Sequence, residues 1–172
     1  MPYTCRMLRT DRRLPATITG FTLIELMVVL LVMAILAAMA IPINLPLTGR
    51  KQIHHALQIP EAYKGAIYAF YRKHGRFPGT NEELDIPGPD QLISTTVTSM
   101  TLENGAMHVQ LGNSVLNDLK GKIITIQPLV VTGSPRSPVD WSCAYMVPPP
   151  GMEKVGENRT DVDRRFVPSG CR

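Results

Sequence analysis

The chain lacks the short motifs that mark most catalytic folds: it has no glycine-rich phosphate loop, no metal-ligand spacing and no nucleophile motif. An enzyme is therefore not expected, and neither is a cofactor or a resident metal. His54 and His55 are adjacent, so on a helix they point about 100° apart and cannot share a metal ion. Both are expected at the surface. Cysteine is scarce, with Cys5 near the start and Cys143 and Cys171 bracketing the C-terminal segment. Such a pair reads as a disulfide in an exported protein and as two free thiols in a cytosolic one, and the cysteines alone leave both readings open. A general excess of positive charge is also missing. The formal charge of +4 resides mainly in residues 1–20, where Arg6, Arg9, Arg12 and Arg13 face only Asp11. The remainder carries 14 basic and 13 acidic residues, which argues against a surface built to coat nucleic acid. At 172 residues there is no room for two large domains, only for one modest domain and an anchoring segment.

What the chain does have is one long apolar run. Leu26 to Ile43 reads LMVVLLVMAILAAMAIPI, 18 residues without a charge, long enough for a transmembrane helix. It is apolar around its whole circumference, and a chain of this size cannot bury such a helix in its own core. The arginines ahead of the run place that end in the cytoplasm and the C-terminal domain outside, because basic residues near a span stay cytoplasmic. Export favours the disulfide reading of Cys143 and Cys171. Ala37, Ala38 and Ala40, in the last part of the run, could form a signal-peptidase site, which would release a soluble domain. Glu25 argues for another reading. A carboxylate at the head of an apolar run costs about 1 to 3 kcal/mol against apolar alternatives, and a simple anchor has no use for it. The dipole of a helix N-terminus compensates it in part; a free amine at Phe21 would supply a full opposite charge.

Gly20 followed by Phe21, Thr22, Leu23, Ile24, Glu25 and a long apolar run resembles the type IV prepilin signature. The resemblance implies cleavage between Gly20 and Phe21 by a membrane-embedded prepilin peptidase, which also methylates the new N-terminal Phe21. It implies that Glu25 pairs with the N-terminal amine of a neighbouring subunit during assembly. The alternative is that Glu25 merely caps a helix start at the membrane surface. A leader of 20 residues is longer than is usual for pilins whose mature chain begins with phenylalanine; initiation at Met7 instead of Met1 would leave 14 residues and remove Cys5.

Beyond the span, Ile53, Ala56, Leu57, Pro60, Tyr63, Ile67 and Phe70 recur at three- and four-residue steps, which predicts an amphipathic helix whose apolar face covers a sheet. Residues 21–75 are expected as one long helix ending at Gly75, with kinks at Pro42 and Pro60, each of which removes a backbone hydrogen bond. Both prolines fall where the resembled family has helix-bending prolines, and Tyr63, Lys64, Gly65, Tyr68, Tyr71, Gly75, Phe77 and Pro78 resemble its helix end. A loop over 79–91 with one helical turn at Glu82 to Leu84 leads to four expected strands: Ile93 to Leu102, Ala106 to Leu111 after the Asn104-Gly105 hairpin signal, Lys122 to Val131, and Trp141 to Val147. The fold expected is α+β, a long N-terminal transmembrane and fibre-core helix packed on a four-stranded antiparallel sheet. Gly121-Lys122, Pro128, Trp141-Ser142-Cys143 and Pro168-Ser169-Gly170-Cys171 extend the resemblance. Bonding Cys143 to Cys171 would contribute about 3.6 kcal/mol in the chain-entropy model. Residues 148–170, with four prolines and few large apolar groups, are expected to be an exposed loop available for receptor or surface contacts. The Asn158-Arg159-Thr160 triplet fits a glycosylation sequon, a motif short enough to arise by chance.

Three parts are thus expected: a cleaved leader (1–20), the transmembrane and assembly half of the long helix (21–52), and a periplasmic or extracellular head (53–172). The resemblance implies a structural subunit that passes through the inner membrane and polymerises with its own kind into an extracellular pilus fibre through an assembly platform. Such fibres serve adhesion, twitching motility and DNA uptake, so a host or surface receptor and DNA are possible partners. The alternatives are a pseudopilin of a type II secretion system or a minor pilin that primes or tips the fibre. A tethered domain that never polymerises does not explain Glu25.

Overall fold

The computed structural model describes residues 20–172, without the side chains of residues 39–46. Expectations for Cys5, for the leader arginines and for the start at Met1 or Met7, and any side-chain role of Pro42, lie outside the described residues. The chain divides into two compact units, one ending at Ala40 and the other running from Ile41 to Arg172.

Helix α1 is Leu23–Ala56 and helix α2 is Gln58–His74. The single helix expected over 21–75 is therefore two, and the reason is local. Pro60 has no N–H, so the carbonyl of Ala56 has no helical donor four residues on, and the helix is interrupted at Leu57. The Leu57 N–H still bonds Ile53 O at 3.0 Å and Glu61 N–H bonds Leu57 O at 3.3 Å, so the ladder resumes at once. Pro42 lies within α1. Gly75 closes α2 with a left-handed φ of 69° and an N–H bond to Tyr71 O, a conformation that glycine adopts without strain.

The five strands are β1 (Val97–Glu103), β2 (Ala106–Leu111), β3 (Ile123–Val131), β4 (Asp140–Cys143) and β5 (Met152–Lys154). Strands β1 to β4 form an antiparallel meander in chain order. The β1–β2 turn has φ of 48° at Asn104 and 82° at Gly105, the doubly positive geometry that matches the twist of a hairpin. Strand β5 was not expected. Ile126 pairs both Met107 and Cys143, whereas Leu129 pairs both Asp140 and Lys154; β5 therefore lies on the same edge of β3 as β2, beyond the hairpin turn. Three residues bounded by prolines and glycine carry too little alternation to be read as a strand.

The register gives the sheet two unlike faces. Met100, Leu102, Met107, Val109, Ile124 and Ile126 share one face and form a buried core with Ile53 and Ala56 of α1 and Ile67 of α2. His108, Thr125, Gln127 and Ser142 share the other, since His108 pairs Thr125 and Gln127 pairs Ser142 across neighbouring strands. All four are buried too, and the chain between β5 and Val162 is bonded across this face at Thr125 and Gln127. That strap bonds the sheet through Val155 N–H to Pro128 O at 3.0 Å, Gln127 Nε2 to Gly156 O at 2.8 Å, and Thr125 N–H to Thr160 Oγ1 at 3.0 Å.

This corrects the expectation of an exposed loop over 148–170. Val162, Phe166 and Val167 join the core. Phe166 lies against α1 at Gly49, where a Cβ would sit 2.4 Å from its ring; only glycine leaves room for it. The connection between α2 and β1 is held by Asn81, whose Oδ1 accepts Leu102 N–H at 2.7 Å and whose Nδ2 donates to Pro87 O and Met100 O.

Candidate functional site

In the first unit, Gly20 to Thr22 precede the helix and Thr22 caps it: its Oγ1 accepts the N–H of Glu25 at 3.3 Å. Thr22 and Glu25 stand in the spacing of a capping box, with Glu25 in the first helical turn, where the positive end of the helix dipole favours a carboxylate. Around it the surface is apolar and open. Phe21 is 77% exposed, Leu23 77% and Ile24 71%, and the side chains of Leu26 to Leu36 follow the same pattern on every side of the helix. Among the described residues no cation lies within ion-pair distance of the Glu25 carboxylate. The arrangement is one carboxylate set in a ring of uncovered apolar side chains. Its chemistry is associative: each such side chain, once covered, contributes about 1.5 to 3 kcal/mol, and a covered carboxylate requires a cation. Among the described residues no helix is long and apolar enough to cross a membrane; the described side chains of the apolar run stop at Ala38, short of the expected span's end at Ile43.

In the second unit, Cys143 and Cys171 form a disulfide with a Cα separation of 4.9 Å. It joins the end of β4 to the last turn of the chain, and Tyr145 N–H bonds Cys171 O at 2.9 Å beside it. Pro60 is buried at the start of α2. His54 and His55 are both exposed, and His55 reaches Thr96 Oγ1 at 3.3 Å. Asn158 of the sequon uses its Nδ2 to bond Ala144 O at 2.7 Å. No group of three or more His, Cys, Asp or Glu among the described residues is placed to hold a metal ion.

A polar cluster under the strap escaped the sequence reading. The His108 Nδ1 lies 3.1 Å from Thr125 Oγ1, Arg159 bonds Glu103 at 2.7 Å, and His108 Nε2 stands 3.9 Å from the same carboxylate. Burial, and then the nearby Arg159 guanidinium, hold the His108 imidazole below its ordinary value. The alternation of His108 and Gln110 with Met107, Val109 and Leu111 announces a strand with one polar face, but not that the polar face is covered.

Two family models match the chain. Residues 49–172 match the pilin family, described as a bacterial filament, and residues 17–41 match the prokaryotic N-terminal methylation motif. Among curated proteins, the chain is 32% identical over 162 residues to a fimbrial protein of Neisseria meningitidis serogroup B, covering 89% of this chain and 93% of that one. It is 31% identical over 159 residues to the type IV major pilin protein PilE1 of Neisseria gonorrhoeae, covering 89% and 86%. It is 30% identical over 172 residues to the type IV major fimbrial protein FimA of Dichelobacter nodosus, covering 89% and 96%.

Proposed function

This chain belongs to the pilin family and is a structural subunit of a type IV pilus rather than an enzyme, and from that premise we propose how its N-terminal segment is processed and assembled. The chain is a prepilin peptidase substrate that polymerises with other pilin subunits into an extracellular fibre. The bond cut is Gly20 to Phe21, and the new amine of Phe21 is methylated. Before assembly residues 21–52 sit in the inner membrane, with the leader in the cytoplasm and the head of residues 53–172 in the periplasm. Pro42 and Pro60 are the places at which the helical stretch of residues 21–75 bends.

The observation that carries this reading is Glu25, a carboxylate in the first turn of a helix whose neighbouring side chains, Leu23 to Leu36, are apolar and exposed. A copy whose leader is removed presents a positive amine four residues from that carboxylate. Within one helix the two share an end, so the favourable partner for Glu25 in a packed bundle is the amine of the adjacent copy. Cleavage thus creates the cation that assembly consumes. A major role is the one that the names of several relatives print and the one we propose here, and adhesion, twitching motility and DNA uptake through contact with a surface receptor or DNA are the activities such a fibre serves.

Glu25→Ala tests the reading directly. Processed subunits are expected to accumulate in the membrane while fibres disappear from electron micrographs; abundant fibres built from the variant would end the assembly role of Glu25.

A further inference from the structure

The sheet's outer face is a buried polar seam. His108 Nε2, Gln127 Oε1 and Ser142 Oγ lie on it without a hydrogen-bond partner, and each unsatisfied buried group of this kind opposes closure of the strap. The strap's Glu157 to Thr160 stretch sits directly on His108 and Thr125. Arg159 N–H donates to Thr125 Oγ1 at 3.0 Å, which leaves the Thr125 hydroxyl proton free to go to His108 Nδ1. The ring proton is then on Nε2, the atom turned toward Glu103.

We propose that His108 is a proton-operated latch on the strap, holding residues 155–161 against the sheet while the imidazole is neutral and loosening them when it takes up a proton. Protonation places a proton on Nδ1 as well, so the His108–Thr125 bond must reverse and the Thr125 hydroxyl must find another acceptor. The new charge also lies beside the Arg159 guanidinium. The charged groups around the ring are Glu103 of β1 and Glu157 and Arg159 of the strap. Glu103 attracts the imidazolium, but its carboxylate is already bonded to Arg159 at 2.7 Å. The strap is the element that yields, because β2 and β3 are locked in the sheet by their ladder and apolar face, whereas Arg159 reaches the seam from an exposed segment. The disulfide at Cys171 and the core contacts of Val162 and Phe166 keep the opening local.

The sign follows from burial. The imidazole is held below its ordinary value of 6.5 in the folded head, so an opened strap binds the proton more readily than a closed one. Closure is fully favoured above that ordinary value and weakens as the pH falls through it toward the folded-state value. A fibre entering an acidic surface layer would then gain mobility and positive charge on this face of each head.

Hydrogen exchange by mass spectrometry on the full-length, disulfide-intact chain in detergent tests the latch. Between about pH 7 and about pH 5, after correction for intrinsic exchange chemistry, the amides of residues 155–161 are expected to lose about tenfold in protection. Those of β2, and of β3 apart from Ile123 and Thr125, whose N–H groups bond the strap, should hold theirs. In His108→Gln the strap's protection should be independent of pH over that range. An equal pH response in the variant, or an unchanged strap in the wild type, overturns the proposal. Should the variant fold poorly, NMR titration of the His108 ring in the wild type decides: its midpoint must lie below the ordinary value and coincide with strap opening. A midpoint at or above that value, or one unconnected with exchange, is the contrary result.

Discussion

The two units of this chain use the same apolar residue types for opposite ends. In the head, Ile53, Ile67, Met100, Leu102 and Val109 are sealed between helices and sheet. In the first unit, Leu23 to Leu36 present the same kinds of side chain to the outside on all sides, with one carboxylate among them. The head buries its apolar side chains within a single copy. The N-terminal helix leaves its own uncovered, and under the proposed assembly other copies cover them. Folding and assembly are therefore separable, and changes in one unit should leave the other nearly untouched.

The largest separation is expected from Glu25→Ala, which should remove fibres altogether while the denaturation midpoint of the head, followed by near-ultraviolet circular dichroism, stays where it was. A coupled loss of both would break the comparison. Within the head, Phe166→Ala should be the most damaging single change. It empties the pocket against Gly49 and should cost about 3 to 5 kcal/mol in chemical denaturation; a loss below 1 kcal/mol would mean that the strap's end adds little to the core. Cys143→Ser should follow, with a loss of about 3.6 kcal/mol, and the same loss should appear in wild type under reducing conditions. Gly105→Ala comes next. The left-handed φ and a Cβ position 2.9 Å from Phe77 put its cost at about 1 to 3 kcal/mol, and a neutral outcome would show that the hairpin turn can rearrange. Smallest of all is Arg76→Ala. The Arg76–Glu83 pair at 2.8 Å is solvent-exposed, so the midpoint should not move measurably.

The same contrast explains how far the sequence could be read. A continuous apolar run, a periodic helix face and an Asn-Gly turn each express themselves in neighbouring residues, so α1, α2 and the β1–β2 hairpin are visible before any fold is known. The break at Leu57 was foreshadowed by Pro60, although a proline does not say whether a helix bends or is interrupted. Strand β5 and the strap were not visible, because their partners are remote: Met152–Lys154 pairs with Leu129–Val131, and Val162 and Phe166 find the core only once the sheet exists. Prolines and charges made this stretch look unpacked. It is held instead by hydrogen bonds between side chains and remote backbone, Thr125 with Arg159, Gln127 with Gly156 and Asn158 with Ala144, and no local periodicity reports such pairs. In the N-terminal unit the residues on which the proposed processing and assembly rest, Gly20, Phe21 and Glu25, lie within one short stretch and are legible there; a role that depends on a second copy is not displayed by a single chain.

The central claim is that removing residues 1–20 creates the amine that makes Glu25 tolerable inside a fibre. Intact-mass and N-terminal peptide mass spectrometry of subunits taken from purified fibres tests it most directly. The account predicts a mature chain that begins at an N-methylated Phe21, and any other first residue, or fibres built from chains that retain the leader, would contradict it.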